Sequence, residues 1–299
     1  MREGNFDRRR FIGTSTALVG AGVLAGTPGA TSAASREGAA AELPPRKFRL
    51  GMVTYNMARN MDLPTLIKTC KASGFEGVEL RTTHKHGVEP TLSADARREV
   101  RKRFDNAGVV LWGLGTTCEF HSPDPAEVRK QIKICADFCQ LAQDTGARGV
   151  KVRPNRLPKG IPVEKTLEQI GKSLVECGKI AADQGVEIWV EVHGSGTSHP
   201  PHMRTMMDHC GHPKVGVCWN SNPGDVKDGS VREYFALLRR NLLSCHITEL
   251  HNERYPYREL FTLMRTTGYD RFTLAEIPES SDPVRVLKYY RALWLALSS

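Results

Sequence analysis

Eight times after Phe48 the chain repeats one unit, a short β-branched run, a polar loop and then an amphipathic stretch. The runs are Arg49 to Tyr55, Gly77 to Arg81, Val109 to Gly115, Gly149 to Arg153, Glu187 to His193, Val215 to Asn220, Leu243 to Thr248 and Phe272 to Ile277. Gly74, Gly108, Gly146, Gly185 and Gly268 each stand one to five residues before a run, where a left-handed residue ends a helix and turns the chain into the next strand. Between runs, Val128, Ile132, Cys135, Cys139 and Ala142 recur at helical spacing, as do Leu167, Ile170, Leu174, Gly178 and Ala181. Strands alternating with helices pack as a parallel sheet, and eight such units in about 250 residues match a single α/β domain, a (β/α)8 TIM barrel.

The 299 residues are 40% hydrophobic and 25% charged, which excludes a disordered chain and a disulfide miniprotein. The amino end has its own pattern. Asp7, Arg8, Arg9, Arg10, Phe11 and Ile12 precede a stretch from Gly13 to Gly26 rich in Ala, Gly, Val and Leu, which reads as a twin-arginine export signal. Cleavage is expected after Ala34 or Ala41. The expected organisation is a signal over 1–34, a linker over 35–47 and the barrel over 48–299, in a periplasmic or secreted protein with no membrane association after export. Removing residues 1–41 takes away five Lys/Arg and three Asp/Glu, so the net charge falls from +9 to +7. The densest basic cluster, Arg97, Arg98, Arg101, Lys102 and Arg103, is interspersed with Glu99 and Asp105 and lacks aromatics, the pattern of a solvated helix face rather than a nucleic-acid surface. None of the eight cysteines forms a Cys-x-x-Cys pair, and Cys135 and Cys139 share the apolar face of their helix as small buried residues.

In a barrel of this kind reactive groups stand at the carboxyl ends of the strands. Side-chain alternation then separates inward from outward positions. In the fifth run Val186, Ile188, Val190 and Val192 face the helices, while Glu187, Trp189, Glu191 and His193 face inward. The sixth sends Trp219 outward and Asn220 inward; the seventh brings Ser244, His246 and Thr248 inward; the eighth brings Phe272, Leu274 and Glu276. Glu191, Asn220, His246 and Glu276 therefore converge on one volume, a ligand set of oxygens and an imidazole suited to Mn2+, Mg2+, Co2+ or Zn2+.

The order of Gly74-Phe75-Glu76-Gly77-Val78-Glu79-Leu80, Glu191-Val192-His193-Gly194, Val215-Gly216-Val217-Cys218-Trp219-Asn220, Cys245-His246-Ile247 and Ala275-Glu276-Ile277 resembles the xylose-isomerase-like TIM-barrel superfamily. The resemblance runs from Phe48 to Trp294. It implies one divalent metal held by a Glu, an Asp, a His and a Glu, which fall on Glu191, position 220, His246 and Glu276. Position 220 is Asn, so the ligands lose one charge and the metal is expected to bind more weakly. The resemblance also implies proton transfer next to the carbonyl of a sugar or sugar-like compound, with Glu191 and Glu276 as the acid/base pair and His193 as a proton shuttle or hydroxyl partner. His84, Glu119 and Arg153 are the expected substrate contacts, and Lys151 beside Arg153 offers a further cation for a carboxylate or hydroxyls. Export argues for a non-phosphorylated sugar, and the resemblance implies an isomerase or epimerase. The alternatives are a keto-sugar or keto-glycoside lyase or dehydratase using the same proton abstraction, and a non-catalytic sugar-binding barrel. A DNA-repair endonuclease of this fold requires an Asp-x-x-His after the sixth strand, where this chain has Asn220-Ser221-Asn222-Pro223.

Overall fold

A computed structural model describes residues 42–299. The expected signal and most of the expected linker lie outside these residues.

Eight strands, β1 (Arg49–Val53), β2 (Gly77–Arg81), β3 (Val110–Gly115), β4 (Gly149–Val152), β5 (Glu187–Glu191), β6 (Val215–Asn220), β7 (Leu242–Ile247) and β8 (Phe272–Ala275), pair in parallel and in order. β1 closes on β8, so the sheet has no free edge. Eight α-helices surround it: α1 (Leu63–Ser73), α2 (Ala94–Ala107), α3 (Pro125–Thr145), α4 (Val163–Asp183), α5 (Pro200–Cys210), α6 (Arg232–Leu238), α7 (Tyr257–Thr266) and α8 (Pro283–Ser298). This is the expected TIM barrel, with every strand near its expected run.

Local chemistry explains the ends of the elements. Asp62, Ser93 and Asp124 cap α1, α2 and α3 by accepting backbone N–H groups, and Gly74, Gly108 and Gly146 end the same helices with positive φ. Most of the basic cluster of α2 lies on its exposed face, where Arg98 pairs with Asp95, Arg101 with Asp105 and Arg103 with Glu99, whereas Arg97 is largely covered and reaches Asp144 on α3 at 2.8 Å.

The apolar residues form two cores. The larger lies between strands and helices and takes the outward positions, including Val190, Val217 and Trp219. The smaller fills the barrel interior with Val53, Trp112, Trp189, Cys218, Phe272 and Leu274. Trp189 fits there because Gly113 and Gly149 have no side chains: a Cβ at either would stand 2.4 or 2.6 Å from its ring. All eight cysteines are buried free thiols. No helix among the described residues is long and apolar enough to cross a membrane.

Candidate active site

Above the Trp189 layer the interior turns polar. Glu191, the last residue of β5, His246 near the end of β7 and Glu276, one residue past β8, each offer a ligand atom, and these atoms lie within 4.8 Å of one another. His246 Nδ1 stands 3.5 Å from Glu191 Oε1 and 3.5 Å from Glu276 Oε2. It is buried and has no hydrogen-bond partner. The other ring nitrogen, Nε2, lies 3.1 Å from Glu79 Oε2 on β2, so Glu79 fixes the orientation of the imidazole. Space for Glu79 comes from Gly115, whose missing Cβ would stand 2.7 Å from Glu79 Oε1.

These residues fit a divalent ion. Bonds of ~2.1 Å in a tetrahedral shell leave neighbouring ligand atoms about 3.4 Å apart, close to the spacing seen here. The donor set of one imidazole nitrogen and two carboxylates is a three-ligand centre that leaves a position open for substrate. Asn220, the last residue of β6, lies beside it. Its Nδ2 donates to Glu191 Oε1 at 3.3 Å, and rotation of the amide would be needed to offer the oxygen in that direction.

Lys151, in the middle of β4, adds a cation that the ligand pattern does not require. Its buried Nζ donates to Glu191 Oε2 at 2.6 Å. Burial alone would raise the Glu191 pKa, but Lys151 and then His246 hold it well below the usual carboxylate range. Burial equally opposes the charge on Lys151, yet Glu191 and Glu79 keep its pKa above the ordinary lysine value. For His246 burial acts downward, while the neighbouring Cys218 sulfur and the Glu79 carboxylate raise it well above the usual imidazole range.

A cavity of about 110 Å3 opens over this cluster, and besides the ligand residues it is lined by Tyr55, Arg81, Arg153 and His193. β5 ends at Glu191, so His193 is placed by the loop that follows rather than by strand alternation. Thr197 Oγ1 donates to the His193 carbonyl at 2.8 Å. Gly194, with φ 95°, lets that loop press against the one after β4: a Cβ there would stand 1.8 Å from the Asn155 carbonyl oxygen.

Arg153 reaches the cavity and is held from behind by Glu119, whose Oε1 lies 2.8 Å from Nη2 and 3.0 Å from Nε. Glu119 therefore belongs to the site through Arg153 and does not itself line the cavity. His84 lines a neighbouring cleft instead, with Nδ1 2.9 Å from Thr54 Oγ1. Thr248 departs from the expected alternation because β7 stops at Ile247; its hydroxyl lies 2.6 Å from Tyr257 OH on α7. Trp219 faces the helices as expected, and its Nε1 donates to Tyr255 OH at 2.9 Å.

Sequence reasoning passed over Glu79 and Arg81 as site residues and gave Lys151 only a general role. The same signal marks Glu79 and Lys151 as marked Glu191: a charged residue inside an otherwise apolar strand run.

A closed parallel barrel with a carboxylate and imidazole cluster at the carboxyl ends of its strands defines a TIM-barrel protein with a candidate metal site at its mouth. The chain belongs to the xylose isomerase-like TIM barrel family, whose sequence pattern matches residues 67–222. No curated protein matches it in sequence. Among solved structures it is similar to D-psicose 3-epimerase from Clostridium cellulolyticum H10, crystallised with D-tagatose, at TM-score 0.72 and 14% identity over 84% of this chain and 100% of that one. It is similar to 3-keto-D-glucoside 4-epimerase from E. coli at TM-score 0.69 and 14% identity, with the same coverage of both chains. An L-ribulose 3-epimerase structure gives TM-score 0.70 and 14% identity over 84% of this chain and 94% of that one.

Proposed function

We propose that the protein is a metal-assisted isomerase or epimerase that acts on a non-phosphorylated sugar or sugar-like compound by removing a proton next to its carbonyl. One observation carries the reading: the buried His246 Nδ1 has no partner and faces two carboxylates at 3.5 Å, at the mouth of a barrel whose structural neighbours include sugar epimerases. A divalent ion held by Glu191, His246 and Glu276, with Asn220 beside them, would polarise the carbonyl and stabilise the negative charge that develops on its oxygen.

The protein's own residues do the rest. Glu276 is the most exposed of the three at 20% of its side chain, so it can reach the substrate carbon and accept its proton. Glu191 is the second member of the acid/base pair, held ionised by Lys151 on its other oxygen. His193 exchanges a proton with a substrate hydroxyl, and Arg153, steadied by Glu119, donates hydrogen bonds to substrate oxygens. The substrate enters from the carboxyl face. The Arg8-Arg9 pattern supports export before the protein meets it, in the periplasm or outside the cell.

The test combines metal analysis with proton exchange on a panel of neutral keto-sugars in deuterated water. About one Mn, Co, Zn or Mg per chain, and deuterium uptake that vanishes in Glu276→Gln, would support the proposal. A metal-free protein that takes up none on titration and exchanges no proton would overturn it. If the product is an unsaturated keto-sugar or a released aglycone, the same proton abstraction ends in elimination and the protein is a lyase. The site's balance of charge favours one further reading. Lys151 already neutralises Glu191, and Asn220 brings no charge of its own, so a non-catalytic sugar-binding barrel would show saturable sugar binding without metal or turnover.

A further inference from the structure

The polar cavity over Glu191 does not end at Arg81. Tyr55 and Arg81 line both it and a second, wider cleft of about 440 Å3 on the β1 and β2 side of the barrel mouth. The two cavities differ in charge. The inner one holds Glu79, Glu191 and Glu276 against Arg81, Lys151 and Arg153. The outer one is lined by Arg59, Arg81 and Lys85 and by no carboxylate.

Among the described residues no carboxylate closes on these cations, although Glu191 and Glu79 act on Arg81, and Asp62 on Lys85, from a longer range. Arg59, Arg81 and Lys85 take part in none of the ion pairs within 4.0 Å. The nearby carboxylates are engaged elsewhere: Glu89 accepts from Thr82 Oγ1 and Thr83 N, and Glu279 accepts from Asn60 Nδ2 at 2.7 Å. Arg81 is half-buried, and its guanidinium spends a hydrogen bond only on the Thr82 carbonyl at 2.9 Å. The field of these cations is felt by their neighbour. Burial first, and then His86, Arg81 and Arg59, push the His84 pKa down to about 4, so this imidazole is neutral and adds a hydrogen-bonding group without a competing charge. Tyr55, 42% exposed, stacks on His84 with ring centroids 6.2 Å apart and presents an aromatic surface at the junction of the two cavities.

We propose that this cleft is a second subsite that binds a carboxylate carried by the substrate, so that the substrate class is an acidic sugar or an acidic glycoside rather than a neutral monosaccharide. The inference rests on the proposed function for the inner cavity and extends it: the reacting carbonyl sits over Glu276 while the far end of the molecule passes Tyr55 and meets Arg59, Arg81 and Lys85. Two guanidinium groups suit a planar carboxylate, which each can bind through two parallel hydrogen bonds.

Binding is measured by calorimetry for D-glucuronate, D-glucose and D-glucose 6-phosphate, on the wild type and on the Arg59→Ala/Lys85→Ala double variant. Both substituted residues are exposed, so the variant is expected to fold, and an unchanged melting temperature checks this. The expected result is D-glucuronate binding at least about tenfold tighter than D-glucose, with that preference lost in the double variant and weakened by salt. Equal affinity for the two sugars, or a preference that survives the double substitution, overturns the subsite. A preference for D-glucose 6-phosphate over D-glucuronate that disappears in the variant overturns the carboxylate assignment and makes the cleft a phosphate site. Glu276→Gln separates this inference from the one it rests on. If the acid preference is seen in wild type and in Glu276→Gln while neither exchanges substrate protons, the subsite stands and the proposed chemistry falls.

Discussion

Glu187 and Glu191 lie on the same strand, face the same way and are both buried, yet they do different things. Glu187 sits at the closed end of the barrel. Its carboxylate receives Arg148 at 2.8 Å, Arg271 at 3.0 Å and Trp189 Nε1 at 3.0 Å. Burial alone would raise its pKa, but the Trp189 hydrogen bond and the Arg271 charge lower it, and no unmet valence is left for a ligand. Glu191, at the open end, has one oxygen on Lys151 and the other turned toward Asn220 and His246 Nδ1, which itself lacks a partner. A buried carboxylate closed in by donors holds a fold together; one whose neighbours are left short of partners is set for a ligand.

The contrast can be broken most sharply at the open end. Glu276→Gln should lower proton exchange by about 10^3-fold, within the range set by removal of a general acid or base, while the melting temperature stays near that of the wild type. A large loss of stability with activity retained would erase the distinction. Glu187→Ala should do the reverse: a loss of about 3 kcal/mol in unfolding free energy by denaturant titration, because Arg271 and Arg148 lose their shared partner, with metal content unchanged.

Lys151→Met tests how far the open end is held by its own cation. Without Lys151 the buried Glu191 carboxylate loses its counter-charge and its competing donor, so the metal-free protein should melt lower and bind Mn2+ about tenfold more tightly by calorimetry. Unchanged affinity would mean that Lys151 does not compete for Glu191.

A third kind of carboxylate is Asp225, buried and without an ion-pair partner among the described residues. It accepts from Asn222 N at 2.8 Å and Tyr255 OH at 3.2 Å, and Oδ1 has no partner. Burial raises its pKa from 3.8 to about 8. The folded state therefore holds a proton that the unfolded chain releases, and this contribution to stability is full below pH 3.8 and declines as pH rises toward 8. Melting temperatures followed from pH 5 to 8 should fall less steeply in Asp225→Asn than in the wild type. Parallel slopes would show that Asp225 ionises freely in the fold.

Much of this was legible beforehand where a single strand or helix decided the outcome. The eight runs, the glycine stops and the inward set Trp189, Glu191, His246 and Glu276 follow from a two-residue period and from backbone conformations that glycine favours. The reading weakened wherever a strand ended early. His193 lies two residues beyond β5 and Thr248 one beyond β7, and alternation has no hold on a loop. It also lacked the second partner of every long-range contact: Glu79 meets His246 across 167 positions of sequence, and Lys151 meets Glu191 across 40.

The sequence by itself determined that the chain forms a barrel and which strand ends carry carboxylates and imidazole, because periodicity and turn chemistry are local properties of the backbone. Only the tertiary structure decided which of those groups are satisfied and which are left open. Glu187 and Glu191 are the same residue on the same face, and what separates them is whether Arg271 or His246 arrives from across the barrel. That arrival is set by closure of β1 on β8, through which distant strands bring their side chains into one buried volume.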